Sequence, residues 1–433
     1  MKIAIAGLGT VGAETARQLL INAGHLTESA GQPLELVAVS ARDASKDRGF
    51  SMNGIAFEPD PVALASRDDV DCVVELIGGE GGPGLALVES SIEQGKGVVT
   101  ANKALLSKHG RRLAELAEAK GITIAGEASV AGGIPCLKMV REGLSGNQIS
   151  RVSGILNGTC NYILSTMADT GRDFDDVLAE AQSLGYAEAD PSFDIDGIDA
   201  AHKLSLLAAL AFGIEPAFDQ MTISGIRSVN ALDISCAENL GYVIRLLGIA
   251  EQVDANIFLS VQPTLVPKTS QLAKVTGPLN AVSIDGQPIG NVTAVGPGAG
   301  AGATASAVLA DLIDTARGRV SPFFGLDAKS LSACRSPDDS GRQSRFYIRL
   351  TVYDRPGVLA DVTAVLRDHN MSVESLIQQG RSDEGVNGSV PVVITTHEAD
   401  SKAMNDAMAG IRSLDCVLED PAVMVIADTS DDG

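Results

Sequence analysis

The N-terminal part of the chain alternates short apolar blocks with longer amphipathic stretches. Lys2–Ala6, Leu34–Ser40, Asp71–Ile77, Gly97–Thr100 and Ile122–Ala125 have strand length and are rich in Val, Ile, Leu and Ala. Between them, Val11–Ala23, Gly84–Gln94 and Ala104–Ala119 carry apolar residues at helical spacing, and Gly121 ends the last. Buried strands alternating with helices predict crossover connections, and so an α/β domain over residues 1–128 built on a doubly wound parallel sheet. After Glu127 the rhythm changes. Ala-rich helices mix with Val/Thr/Ile strands such as Phe258–Val261 and Asn291–Val295, which predicts an α+β domain over 129–305. Ala303–Arg317 reads as a helix after a glycine-rich turn, within a segment 306–335 that returns to the core.

Residues 336–345 begin polar and without periodicity, and read as a linker. Phe346, Ile348, Leu350 and Val352 then alternate as in a half-buried strand. Val358–His369 and Ser401–Ser413 have helical spacing; Val373–Gln379, Val390–Thr396 and Val423–Ile426 read as strands. The order βαββαβ over 346–427 predicts a small ferredoxin-like module, followed by a polar tail at 428–433.

The chain has 433 residues, too many for one ordinary core, which agrees with several domains. Its net charge of −22 argues against a nucleic-acid partner and against anionic membrane surfaces. The six cysteines are scattered with no CxxC spacing, so neither a zinc site nor a redox pair is signalled. A reducing cytoplasm is the simplest setting. The apolar run Lys2–Ala6 lacks the length and cleavage pattern of a signal peptide, and no apolar stretch is long enough to span a bilayer.

Gly7-Leu8-Gly9-Thr10-Val11-Gly12 is a full G-x-G-x-x-G that follows a strand and opens a helix. That context marks a Rossmann-type dinucleotide site, with Gly7, Gly9 and Gly12 allowing the turn, the approach of the pyrophosphate and close packing. The bland reading is a structural strand–helix turn. An NAD site would end its second strand in Asp or Glu. Here the end is Val39-Ser40-Ala41-Arg42, so Arg42 is expected to pair with a 2′-phosphate and NADP to serve at least as well as NAD. Arg42 as a solvated loop cation is the alternative.

Lys103 follows a strand, at the edge where open α/β sheets place ligands. Asp199 and Lys203 are i and i+4 on a helix that continues as a largely apolar stretch, Leu204–Leu210. A polar start on an apolar helix points to a cleft; an exposed ion pair is the competing reading. The carboxylates of Glu188, Asp190, Asp194, Asp196 and Asp199 are not spaced as in an EF-hand loop, and a divalent site is disfavoured. His202 is expected to point away from Lys203 in a structural role, and His109 to lie on the exposed end of a surface helix.

Several long motifs now converge. Gly154-Ile155-Leu156-Asn157-Gly158-Thr159-Cys160-Asn161-Tyr162 resembles the central signature of homoserine dehydrogenases. Gly185–Pro191, Asp194–Leu204, Thr100–Lys103 and Glu127–Pro135 are similar to that family as well, so the resemblance covers roughly residues 1–320 in order. It implies interconversion of L-aspartate 4-semialdehyde and L-homoserine with NAD or NADP. It assigns Lys203 as acid/base, with Lys103 assisting and touching the nicotinamide side. Glu188 and Asp199 are implied to hold the polar groups of the amino-acid substrate. Thr10, Val11, Gly185 and Gly300 are implied cofactor contacts. A monovalent cation, usually sodium, is implied on main-chain oxygens at Glu127, Val130, Gly132 and Ile134. Two lysines in one cleft would also repel each other's charge, favouring proton release near neutral pH.

Leu350-Thr351-Val352-Tyr353-Asp354-Arg355-Pro356-Gly357-Val358 resembles the first strand–turn–helix of ACT domains, which pair side by side and bind small amino acids. The resemblance implies an effector contact at Asp354, Gly357 and Val358, with threonine the expected effector, and a homodimer or homotetramer. A module that only dimerises the enzyme is the alternative. Two other readings differ in class. An aspartate-semialdehyde dehydrogenase would need a catalytic cysteine, which no cysteine here supplies. An amino-acid sensor on a dead dehydrogenase is weakened by the intact lysines and carboxylates.

Overall fold

A computed structural model describes residues 1–335, 341–378 and 388–427. The chain divides into two compact units, of residues 1–152, 199–220 and 279–334, and of residues 153–198, 221–278 and 335–433. These units cut across the linear order of the sequence-based domains. The Ile198–Phe212 helix, the Leu279–Gln287 and Gly290–Pro297 strands and the Ala301–Ala316 helix fall largely or wholly in the first unit, with the dinucleotide sheet. The reason is packing. Two helices from remote stretches meet through Ser107 and Ser205, whose hydroxyls are 3.3 Å apart, and the Ala301–Ala316 helix covers one face of the sheet.

The first unit carries a six-stranded parallel sheet in the order Ala56–Phe57, Glu35–Ser40, Lys2–Ala6, Cys72–Glu75, Gly97–Thr100, Ile124–Ala125. Strand order reverses between Lys2–Ala6 and Cys72–Glu75, which makes the switch point where such sheets bind ligands. Alternate residues serve opposite faces. Ile3 and Ile5 join Leu19 and, from the returning helix, Val308 and Leu312; Ala4 and Ala6 join Leu64, Val73 and Leu87. Helices on both sides bury the central strands, which is why these blocks are apolar throughout rather than alternating.

The returning helix runs in a definite direction. Its start adjoins the Gly132–Gly133 loop, which follows the last parallel strand. Its end places Thr315 against Gly97, the first residue of a strand, and Ala316 beside Gln32, which precedes another. The N-terminus of this helix therefore lies at the carboxyl edge of the sheet, the same edge as the N-terminus of the Thr10–Ile21 helix.

In the second unit, Tyr242–Val253 and Asn256–Pro267 form a long antiparallel pair. Helix Gly158–Thr170 begins at Asn157, whose Oδ1 accepts from the Cys160 N–H at 2.8 Å. The C-terminal module follows as strand Gln343–Tyr353, helix Val358–Asp368, strands Val373–Gln378 and Ser389–Thr396, helix Ser401–Arg412 and strand Ala422–Ile426. The first strand starts at Gln343, inside the stretch read as linker. It does so because Gln343 and Ser344 find pairing partners in Asp400 and Ala399. Residues 336–340 of that linker and the tail 428–433 lie outside the described residues. The Val11–Ala23 helix of the sequence reading is instead two, Thr10–Ile21 and Ala23–Ala30. His109 sits half-buried in the second turn of the Lys103–Lys120 helix, not at an exposed end.

The module is anchored within its unit by one buried acid. Asp233 is fully buried in the first turn of the Ala231–Asn239 helix. Its Oδ1 accepts from the Tyr347 hydroxyl at 2.8 Å and from Arg349 Nε at 2.8 Å, and its Oδ2 from the Asn230 N–H at 3.0 Å. Burial, then the Asp233 charge, pushes the Tyr347 phenol far above its ordinary range. Asp233→Ala is expected to cost about 3–5 kcal/mol, since it strands a buried guanidinium. Chemical denaturation of the full chain checks this; a loss under ~1 kcal/mol contradicts the anchoring role.

Candidate active site

At the switch point the chain turns sharply after Lys2–Ala6. Gly7 has φ +95°, and a Cβ there would lie 2.4 Å from the Leu76 carbonyl oxygen. A Cβ at Gly12 would lie 1.9 Å from the Gly7 oxygen, so only glycine lets this helix start so close to the strand. Gly9 caps the helix with no side-chain bond, and Thr10 and Val11 open it. Its first N–H groups are thus available to an anion. A cavity of about 520 Å³ adjoins this turn, lined by Gly7, Gly9, Arg42, Lys46, Arg48 and Ile77 among others. Arg42 is exposed at its edge. Arg48, which follows Arg42 and Lys46 in the sequence, reaches Leu8 O with Nε at 3.3 Å and also donates to the Lys46 and Asp43 carbonyls. The cavity suits a dinucleotide: uncapped N–H groups for a diphosphate and cations beyond the second strand.

One turn of polar residues sets Lys103. Glu75, fully buried at the end of its strand, accepts from Thr100 Oγ1 at 2.6 Å and from the Ile77 and Gly78 N–H groups at 2.8 and 3.0 Å. Thr100 Oγ1 in turn accepts from the Asn102 N–H at 3.0 Å. Asn102 caps the Lys103–Lys120 helix through Oδ1 and donates Nδ2 to Gly79 O at 2.7 Å. Lys103 is the first residue of that helix. The Glu75 role was missed in the sequence, although an acid closing an apolar parallel strand was its visible signal.

Asp199 lies between two ammonium groups. Its Oδ1 is 3.0 Å from Lys103 Nζ and its Oδ2 is 2.7 Å from Lys203 Nζ. The Asp199 and Lys203 side chains are 8% and 10% exposed, so this is no solvated surface pair. The two lysines do meet, but with a carboxylate shared between them rather than in bare mutual repulsion. Asp199 thus engages the two lysines through both of its oxygens. His202 stacks on Phe218 with ring centroids 4.3 Å apart and an interplanar angle of 14°. Burial, then the Lys103 charge, holds its imidazole below its ordinary range.

The Glu127–Ile134 loop is almost wholly buried. Ala131 and Gly132 both have positive φ, 51° and 47°. The Glu127 carboxylate is already used: Oε1 and Oε2 accept from the Leu137 and Lys138 N–H groups, each at 2.9 Å. Its own N–H donates to Asp311 Oδ2 at 2.8 Å. Burial, then the Asp311 charge, pushes the Glu127 carboxyl up to about 7. The loop also carries the main-chain oxygens of Glu127, Val130, Gly132 and Ile134. The Ile134 oxygen accepts from the Cys136 N–H at 2.7 Å, and a carbonyl keeps a second lone pair. Such oxygens fit a hard monovalent ion. Among the described residues no cluster of three His, Cys, Asp or Glu side chains could hold a metal.

Glu188 and Gly185 belong to the second unit and are both exposed. Gly185 has φ +76° just beyond the Phe174–Ser183 helix, a conformation that ends a helix. The acidic run disperses there: Asp194 accepts from Asn157 Nδ2 at 2.7 Å, Asp196 pairs with Arg227, and Asp190 accepts from the Ser192 N–H. Asp194 thereby ties two of the signature segments together. Gly300, with φ +110°, precedes the Ala301–Ala316 helix without a side-chain cap. Asp354, Gly357 and Val358 line one cavity of about 190 Å³ at the end of the module's first strand.

Comparison with known proteins agrees with this geometry. The homoserine dehydrogenase family model matches residues 135–313, its NAD-binding domain matches 7–127 and the ACT domain matches 346–412. Homoserine dehydrogenase of Pseudomonas aeruginosa is 42% identical over 96% of both chains. The chain belongs to the homoserine dehydrogenase family. A Neisseria gonorrhoeae homoserine dehydrogenase is also 42% identical, over 98% of each chain. The crystal structure of a homoserine dehydrogenase from Thiobacillus denitrificans superposes with a TM-score of 0.91 at 42% identity, covering 99% of this chain and 98% of that one. A hyperthermophilic archaeal homoserine dehydrogenase in complex with NADPH has a TM-score of 0.62 at 26% identity, covering 72% and 97%. As a family member the chain is an oxidoreductase with an NAD-binding domain and an ACT domain. No helix among the described residues is long and apolar enough to cross a membrane.

Proposed function

We propose that the chain interconverts L-aspartate 4-semialdehyde and L-homoserine with Lys203 as acid/base and Lys103 as its assistant. One observation carries the reading: Asp199 holds both lysine ammonium groups at the ligand-binding edge of the dinucleotide sheet. When bound, a reduced nicotinamide supplies hydride to the aldehyde carbon. Lys203 Nζ gives its proton to the carbonyl oxygen as charge develops there. Lys103 contributes a second positive charge toward the same oxygen, and Asp199 holds both amines oriented. The assignment of Glu188 to the substrate ammonium and of Gly185 to the cofactor rests on family resemblance. So does a sodium ion on the Glu127–Ile134 main-chain oxygens, supported by a loop whose side-chain carboxylate is otherwise engaged.

The decisive experiment follows NADPH oxidation on adding L-aspartate 4-semialdehyde. Lys203→Ala is expected to lower kcat by roughly 10²–10⁴-fold. Near-normal turnover in the variant overturns the mechanism. The same assay in tetramethylammonium salts, then with NaCl restored, tests the cation; equal rates would remove it.

NADP is proposed to serve at least as well as NAD. Arg42, Lys46 and Arg48 line the cavity beyond the second strand, together with Asp43, whose Oδ1 already accepts from the Ser45 N–H and hydroxyl, and an archaeal relative is described with NADPH. Arg42→Ala is expected to raise KM for NADPH by about tenfold and to leave KM for NADH within about twofold. An unchanged ratio of the two would show Arg42 to be only a loop cation.

Threonine is proposed as an effector at the Asp354–Val358 turn. The support is the ACT match and the cavity lined by Asp354, Gly357 and Val358. Titrating L-threonine into the assay should inhibit it. Full activity at saturating threonine favours a module that only assembles the enzyme.

A further inference from the structure

Asn280 lies in the Leu279–Gln287 strand, opposite Gly296 of the antiparallel partner strand. It is fully buried, and among the described residues neither its Oδ1 nor its Nδ2 has a hydrogen-bond partner. Buried amides are nearly always paired, so this one calls for a reason other than local bonding. A Cβ at Gly298 would stand 2.0 Å from Asn280 Cγ, 2.1 Å from Oδ1 and 2.2 Å from Nδ2. Three nearly equal distances mean that the amide plane lies broadside against Gly298. Only a residue without a side chain approaches a flat group so closely.

The other side of this loop is equally constrained. A Cβ at Gly132 would lie 2.6 Å from the Gly298 carbonyl oxygen, and the Gly133 N–H donates to Pro297 O at 2.9 Å. Gly298 is therefore clamped between the Asn280 amide and Gly132. Two residues later Gly300 opens the Ala301–Ala316 helix, whose N-terminus carries no side-chain cap and stands at the carboxyl edge of the sheet. The height of Gly298 above Asn280 thus sets where those N–H groups stand.

We propose that Asn280 is a positioning residue for cofactor binding: by spacing Gly298 it fixes the loop that presents the second uncapped helix N-terminus to the dinucleotide. The proposal rests on the dinucleotide reading of the Gly7–Gly12 turn. A flat, uncharged amide holds the loop at one distance. Alanine would leave a slot into which Gly298 can sink, and a methyl on residue 298 would drive the loop away.

The test uses the full-length enzyme and NADPH as probe. Binding is read from nicotinamide fluorescence, alongside KM for each substrate and the melting temperature without ligand. Asn280→Ala is expected to weaken NADPH binding and raise its KM by about tenfold, with KM for homoserine within about twofold of wild type. Gly298→Ala, which approaches the same contact from the other side, should give the same selective loss. A purely structural role would lower the melting temperature and move both KM values together, and that result overturns the proposal. So does unchanged NADPH affinity in either variant. Failure of the wild type to bind any nicotinamide cofactor would instead strike the dinucleotide reading on which this inference depends.

Discussion

A carboxylate taken out of water needs partners, and the catalytic half of this chain is organised around providing two for Asp199. It stands in the first turn of its helix, where the dipole favours negative charge, and Lys203 follows one turn later on the same face. Lys103 comes from the first turn of another helix. The two helices cannot slide freely, because Ser107 and Ser205 meet one turn beyond the ion pairs. Breaking a buried pair leaves an uncompensated charge at a cost of about 3–5 kcal/mol, so folding and the placing of the lysines are one event. A surface pair of the same spacing would contribute only a few tenths of a kcal/mol and would hold nothing in place.

The same economy recurs beside the returning helix. Asp311 there is fully buried, and Lys138 bridges it to Asp314, at 3.1 and 2.7 Å. Burial raises the Asp311 carboxyl, while the Lys138 charge and the Glu127 N–H oppose that rise. Glu127 has no such cation within bonding distance and faces the Asp311 charge, so it is pushed to about 7. Burial thus raises both neighbouring carboxyls, and the Lys138 charge opposes the rise at Asp311. Together they tie the start of the Glu127–Ile134 loop to the returning helix and to the Leu137 and Lys138 backbone.

Much of this was legible in the sequence for a physical reason. A strand covered on both faces must be apolar throughout, so the parallel sheet announced itself, and Gly7 and Gly12 are demanded by contacts under 2.5 Å that any side chain would break. Asp199 and Lys203 were legible because i and i+4 share a helix face. Lys103 was found as a residue closing a strand, but its meeting with Asp199 was not, since no local rule links positions 96 residues apart. Asn280 was invisible for the same reason: its meaning lies in Gly298, on the neighbouring strand's far end. The division by contact differs from the linear order where the chain crosses back twice, because periodicity identifies elements and says nothing of their neighbours.

The C-terminal module shows how far pattern reading falls short of mechanics. Its alternating strands describe a self-contained domain on a tether. In the structure its outer strand, Ala422–Ile426, pairs in parallel with Asn256–Pro267, through Thr264–Val425 and Leu265–Ile426. That ladder is two residue pairs long, against seven between Gln343–Tyr353 and Ser389–Thr396 inside the module. An effector can act at a distance only by favouring one of two arrangements of some element between the sites. The module's own sheet is too extensively paired to be that element. The short parallel ladder and the Tyr347 and Arg349 grip on Asp233 join the module's sheet to the rest of its unit. Asp354 ends the same segment that carries Tyr347 and Arg349, so a ligand that stiffened or tilted this strand would be felt first at Asp233.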